Sequence, residues 1–306
     1  MYSEQSPGRI PPSEKHSEQS PERIPPAEKL LLKVVDGFLR IACSARIEDP
    51  HNHLPEIRQS VEQENDCIIY EKHDTFLNPY DLLGLIKLID PKKKLDVLMP
   101  ASDYHLNNNK IFSAGAKAIE HYFDVTIFPL IQSYMVGNPK YGKYEQKDAN
   151  ARNLSFFREL KRRQRKKIPT ALGIYPEGTR DWGPLLPAEE GFTLAANYMR
   201  RPLMYVPFTT HFEGPSLEES LIFMAKTMNF SDFSTGHMSS IEDYTDPLLN
   251  LLHLYSRNYN IFRHPIGIVG KPYLLNEGDA LPENFSHILM HNLIADLPPN
   301  MWGEYR

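Results

Sequence analysis

The sequence predicts an α/β domain with a largely parallel or mixed central sheet flanked by helices, preceded by a disordered N-terminal tail. Three observations predict it. Short apolar or β-branched runs recur along the chain, each followed by a stretch of helical periodicity, the pattern of crossover units around a shared sheet. The 306 residues are 41% hydrophobic, enough for one large core. The first thirty residues hold almost none of that apolar content.

The tail is a tandem repeat. SEQSPGRIPPSEKH, from Ser3 to His16, returns as SEQSPERIPPAEKL from Ser17 to Leu30, the copies differing only at Gly8/Glu22, Ser13/Ala27 and His16/Leu30. Such a stretch cannot offset its ordering entropy by burial, and two copies fall short of a stacked array. Residues 1–29 are therefore expected to be a disordered tail and 30–306 one domain, with a helical lead-in over 30–60 and the functional core over about 60–275. In the lead-in, Leu31, Val34, Val35, Phe38, Leu39 and Ala42 form one helical stripe. It suits a helix packed on the core or one lying in a membrane interface.

The expected strands are Asp66–Tyr70, Leu95–Met99, Val125–Leu130, Thr170–Tyr175, Leu203–Phe208 and Ile266–Gly270. The expected helices lie near Pro79–Ile89, Lys110–Tyr122, Glu145–Lys166, Ala188–Met199, Ile241–Arg257 and Glu283–Leu293. In such sheets, sites gather at the carboxyl ends of strands.

A net charge of −5 and a pI near 6.2 give no reason to expect nucleic acid as a partner. The two cysteines, Cys43 and Cys67, have no metal or redox spacing and suit a reducing cytosol. No apolar run is long enough to span a bilayer, and the first residues lack a signal-peptide core. The expectation is a cytoplasmic protein that visits a membrane peripherally.

Two segments carry chemistry. In LGIYPEGTRDWG, from Leu172, an apolar strand runs into Pro176 and then into Glu177, Gly178, Thr179 and Arg180. Proline ends the ladder, glycine permits close backbone approach, and a guanidinium suits bidentate phosphate binding. In CIIYEKHDTFLNPYD, from Cys67, a strand ends in a loop holding His73, and Asn78-Pro79 starts a helix, a pairing that also has a purely structural capping use. Each segment follows a strand end, so one sheet can bring His73 and Glu177 together.

Together they resemble the phosphate/glycerol acyltransferase family, which includes 1-acyl-glycerol-3-phosphate acyltransferases. The family's first block, Asn-His, four residues, Asp and usually Pro, is similar to Lys72-His73 followed by Asn78-Pro79. Its Phe-Pro-Glu-Gly-Thr-Arg block is matched by Tyr175 to Arg180, with Gly191-Phe192 and Leu194-Ala195 in register after it. Its proline block resembles Tyr205 to Phe208, and its common ending resembles Leu297 to Tyr305. The resemblance covers roughly residues 60 to 305.

It implies transfer of a fatty acyl chain from acyl-CoA or acyl-carrier protein, as co-substrate, to the hydroxyl of a lysophospholipid or glycerophosphate-type acceptor at an anionic membrane surface. No resident cofactor or metal is implied. His73 is the general base, Asn78 stands where the family has its orienting Asp, and Glu177, Gly178, Thr179 and Arg180 hold the acceptor, with Arg180 on its phosphate. The alternatives are a non-catalytic lipid- or partner-binding relative on the same scaffold, and a CoA-independent phospholipid transacylase.

Three departures from the family's pattern set further expectations. Asn78 brings no charge; Asp74 or Asp81 could supply one from nearby, and Asn78→Asp is expected to raise kcat if neither does and to leave it flat or lower if one does. Lys72 opposes protonation of His73. The stretch TIFPLIQSY, from Thr126, lacks the family's usual arginine, which leaves acceptors other than glycerol 3-phosphate open. Lys161 to Lys167, KRRQRKK, reads either as a solvated helix end or as a patch for an anionic membrane or carrier protein. His51-Asn52-His53 spells a nuclease motif without its context and is assigned no function, and the scattered His105, His121 and His211 lack metal-ligand spacing.

Overall fold

The computed structural model describes residues 46–73, 78–108, 110–142, 144–178, 184–211 and 266–305. The tandem-repeat tail, the stripe from Leu31 to Ala42, the helix expected near Ile241–Arg257, and Asp74, Thr179 and Arg180 lie outside the described residues. In chain order the elements are β1 (Arg46–Glu48), α1 (Leu54–Glu62), β2 (Asp66–Glu71), α2 (Asn78–Ile89), β3 (Asp96–Ser102), α3 (Asp103–Asn108), α4 (Lys110–Phe123), β4 (Val125–Leu130), α5 (Gln146–Arg165), β5 (Thr170–Ile174), α6 (Glu190–Leu194), β6 (Leu203–His211), β7 (Ile266–Val269), β8 (Tyr273–Leu275) and α7 (Phe285–Ile294).

The strands form one mixed sheet in the order β1-β7-β6-β2-β5-β3-β4, with β8 also on β6. The run from β6 to β4 is parallel throughout, and β7 and β8 meet β6 antiparallel. Helices cover both faces. On β2, Cys67 and Ile69 point into a cluster with α1, α2 and α4, while Ile68 and Tyr70 point into a second cluster with α5, α6 and α7. Every residue of β2 is buried. That explains its unbroken apolar run, because a parallel strand sandwiched between helices has no solvent face. Each such side chain contributes about 1.5–3 kcal/mol on burial, so β2 is a rigid base for whatever follows it.

Asp66 pins the amino end of β2. One carboxylate oxygen accepts from the Thr170 amide (3.0 Å) and from the Arg200 guanidinium (2.9 and 3.0 Å), and the other from the Arg200 amide (2.8 Å). Burial pushes the carboxyl pKa up, and the bonds to Arg200 pull it back. Gly173 lets α2 settle on β5, since a Cβ there would lie 2.8 Å from Leu82 Cδ2.

Two expectations change. The lead-in over 30–60 contains a strand: Arg46 to Glu48 pairs parallel with β7, Arg46 facing Ile266. The helix expected over Ala188–Met199 is only the short α6 followed by a 3-10 turn, Ala195–Tyr198. Among the described residues, no helix is long and apolar enough to cross a membrane.

Candidate functional site

Parallel pairing of β2 with β5 places Tyr70 opposite Ile174, so the loops leaving both strands emerge at the same end of the sheet. The His73 backbone amide donates to Glu177 Oε2 at 3.2 Å, and the Leu186 amide donates to Glu177 Oε1 at 2.8 Å. Glu177 is 3% exposed. The sequence places it among the substrate-binding residues; in the structure its carboxylate ties the His73 loop to the segment entering α6. Gly178 has φ +65°, and a Cβ there would approach Glu189 Cγ to 2.9 Å. The left-handed backbone is what lets this turn close, which is why glycine is needed.

The His73 ring lies flat on Tyr175, with centroids 4.0 Å apart and an interplanar angle of 15°. Its Nδ1 faces Asn78 Oδ1 at 3.5 Å, at the outer limit of a hydrogen bond, as catalytic contacts in ligand-free sites often are. The Asn78 amide nitrogen donates to Glu71 Oε1 (2.8 Å) and to Thr210 Oγ1 (2.9 Å), and the Thr210 hydroxyl donates to the same Glu71 oxygen (2.7 Å). This network fixes the chemistry at His73. Because acceptors occupy the NH₂ side of Asn78, its carbonyl oxygen faces the imidazole, an arrangement that suits a proton on Nδ1.

Asn78 and Glu71 are both fully buried. Glu71, from the last position of β2, is thus a carboxylate joined to Asn78. Asp74 lies outside the described residues, and Asp81 is buried in α2. The geometry also bears on Asn78→Asp: a carboxylate at 78 would sit against the Glu71 carboxylate at the 2.8 Å now spanned by an N–H donor. Lys72, next to Glu71 in the chain, is 3% exposed.

His73, Tyr175, Pro176 and Gly178 are among the residues that line a cavity of about 360 Å³. Its walls run between α4, α5 and the ends of β3 and β4, and are mostly apolar, including Met99, Ile119, Ile127 and Phe156. Apolar walls with a few polar groups at one end are the usual makeup of a small-molecule site. Gln132 and Ser133, in the stretch without the expected arginine, line the cavity, and the Ser133 hydroxyl donates to Glu189 Oε1 at 3.4 Å.

No protein-family model matches the chain, nor does any curated protein.

The cationic run from Lys161 to Lys167 closes α5 and leads into the amino end of β5, opposite the end where His73 lies. Arg163 is turned inward, 3% exposed, and bonds Asp96 and Glu159, while Arg162 bonds Glu159.

Sequence reasoning brought His73, Asn78 and Glu177 to one end of the sheet. It missed Glu71, Thr210, Tyr175 as a stacking partner, and His105, a buried cavity-lining residue. The available signal for Glu71 was a charged residue ending an otherwise apolar strand two places before the histidine.

Proposed function

We propose that this protein is an acyltransferase of the glycerolipid type, moving a fatty acyl chain from an acyl thioester to the hydroxyl of a lysophospholipid or glycerophosphate-type acceptor. The observation that carries the reading is His73 in the lining of a mostly apolar cavity, with its Nδ1 facing Asn78 Oδ1. The apolar walls suit an acyl chain, and the polar lining groups suit the reacting carbonyl and hydroxyl.

Nε2 of His73 takes the proton of the acceptor hydroxyl as the oxygen attacks the thioester carbonyl carbon. The tetrahedral intermediate collapses with cleavage of the carbon–sulfur bond, and the imidazolium returns the proton to the departing thiolate. The products are an ester and a free thiol, and the protein ends as it began. Base catalysis of this kind is worth about 10²–10⁴-fold. The Tyr175 ring beneath the imidazole restricts its rotation about the side-chain bonds, so Nε2 meets the hydroxyl in one orientation. Arg180 is proposed to bind the acceptor's phosphate, and the acceptor is drawn from an anionic membrane surface.

The test is incubation of purified protein with labelled acyl-CoA, labelled acyl-carrier protein or a doubly acylated phospholipid as donor, against a panel of lysophospholipids and glycerol 3-phosphate. Labelled diacyl product from either thioester supports the reading. Product only from the phospholipid donor makes the protein a transacylase, and no product with any pair removes acyl transfer altogether.

A further inference from the structure

We propose that Glu71 is the positioning residue that makes an asparagine workable beside the proposed base: its buried carboxylate supplies, through the Asn78 amide, the negative charge that Asn78 lacks. The inference rests on the acyl-transfer reading of His73 for its kinetic consequences, but not for its geometry.

A histidine that accepts a proton becomes a cation, and a carboxylate bonded to its other nitrogen both fixes the tautomer and stabilises that cation. Asn78 alone does the first of these. Its side chain is polar at both ends, however, and is held between two partners. Oδ1 faces His73 Nδ1 at 3.5 Å, and Nδ2 donates to Glu71 Oε1 at 2.8 Å. Thr210, reaching in from β6, donates to that same Glu71 oxygen and accepts from Asn78, so Glu71 Oε1 receives two hydrogen bonds.

Two consequences follow. An amide cannot turn over in this setting without presenting its carbonyl oxygen to a carboxylate, so Glu71 locks the orientation of Asn78 and hence the proton on Nδ1. An anion in a dry interior is also weakly screened, so its field reaches the imidazole across one polarised amide. Glu71 and Asn78 come from β2 and the first turn of α2, both fully buried, so the relay is built on rigid elements. His73 itself sits on a loop.

The proposal makes positions 71 and 78 exchangeable as a pair and not singly. Glu71→Gln keeps a carbonyl for Asn78 to donate to but removes the charge. Asn78→Asp brings two carboxylates into contact, which forces them to share a proton or to part. Glu71→Gln combined with Asn78→Asp returns one carboxylate and one amide in swapped places, with the carboxylate now beside His73.

The experiment compares full-length wild type, both single variants and the double variant by kcat and kcat/KM against pH on the best acceptor, by thermal unfolding, and by NMR titration of the His73 imidazole. Lys72, Tyr80, Asp81, His105, Tyr134, Tyr175, Glu177 and Glu189, the other titratable side chains of the site and its cavity walls among the described residues, are the same in all four. Glu71→Gln is expected to lower kcat about 10-fold and move the acid limb to lower pH, since removing an anion disfavours the imidazolium. Asn78→Asp is expected to lose at least as much. The double variant should come back to within about 3-fold of wild type, with its acid limb above that of Glu71→Gln, a non-additivity expected only of residues acting as a unit.

An unmoved acid limb in Glu71→Gln, or a folded double variant no better than the worse single, would reduce Glu71 to a structural hydrogen-bond partner. Should Glu71→Gln fail to fold, the double variant carries the test by the same criterion. If wild type transfers no acyl group, the acyl reading falls by itself. The NMR midpoint of His73, expected to drop in Glu71→Gln, then decides the relay without any turnover.

Discussion

The imidazole of His73 rests face to face on the phenol ring of Tyr175, 4.0 Å away, so the last residue of one loop-strand junction sets the pose of a side chain from another. Aromatic contacts of this kind add about 0.5–1.5 kcal/mol beyond burial, enough to favour one ring orientation by about 2- to 12-fold. Tyr175→Phe keeps the flat surface and Tyr175→Leu does not. Leucine is therefore expected to lower kcat about 10-fold relative to phenylalanine, with acceptor KM changed less. Equal rates in steady-state assays of the two variants would mean that stacking does not position the base.

The cavity offers a test of chain-length selection. Gly115, on α4, lines it, and a Cβ there would meet nothing within 4 Å. Gly115→Ala is expected to stabilise the fold by about 0.5–1 kcal/mol, the usual gain from replacing a helical glycine. Gly115→Leu is expected to fold equally well and to shift preference toward shorter acyl donors. Competition between short- and long-chain thioesters measures this; an unchanged ratio would place the acyl chain elsewhere.

The end of the chain buttresses the site. Gly303 has φ +59°, and an added Cβ would overlap the carbonyl oxygen of Leu185 at 2.0 Å. Leu185 donates its amide to Met301 O, the Ala188 amide donates to the Tyr305 hydroxyl, and Leu186 in between donates to Glu177. Gly303→Ala is expected to cost about 2 kcal/mol or more, from the left-handed backbone and the clash, and to lower activity by loosening the Glu177 clip. Thermal unfolding and initial rates on the same preparation check both effects. A variant as stable as wild type would show that this segment docks in another way.

Glu159 gives a pH-dependent stability prediction. Hydrogen bonds from Arg162, and then from Arg163, hold its carboxyl pKa below the usual 4.5 against some desolvation. A depressed folded pKa contributes stability that is present above the unfolded value and lost as pH falls through the folded one. Glu159→Gln is therefore expected to cost about 1 kcal/mol near pH 7, the scale of a partly exposed ion-pair network. That difference should vanish on acidification well below pH 4.5. Chemical denaturation of both proteins at pH 7 and pH 3 provides the measurement, and a difference that persists at pH 3 would assign the loss to packing.

What could be read from the sequence follows how each element is stabilised. β2 and the starts of β5 and β6 were legible because buried parallel strands are written as continuous apolar runs. β1, with the sequence Arg-Ile-Glu, holds its place by pairing with β7, a tertiary cause that leaves no local pattern. α1 buries only Ile57, Ser60 and Val61, too few for a periodic stripe. The meeting of His73 and Glu177 was legible as two loops following two strands. The partners within the meeting were not: that the Glu177 carboxylate takes two backbone amides, and that Asn78 donates to Glu71, is seen only in the fold. Hydrogen-bond partners 104 or 132 residues apart have no signature along a chain.

The central claim is that His73 is the base for acyl transfer, and one comparison tests it most directly: the rate of labelled acyl transfer by wild type and by His73→Ala, on the donor and acceptor that the panel identifies. His73 is half-buried in a loop, so its removal is expected to leave the thermal midpoint within about 3 °C of wild type. The rate should fall by about 10²–10⁴-fold, and imidazole added to the assay should restore part of it. A His73→Ala protein that transfers acyl groups at the wild-type rate would contradict the account.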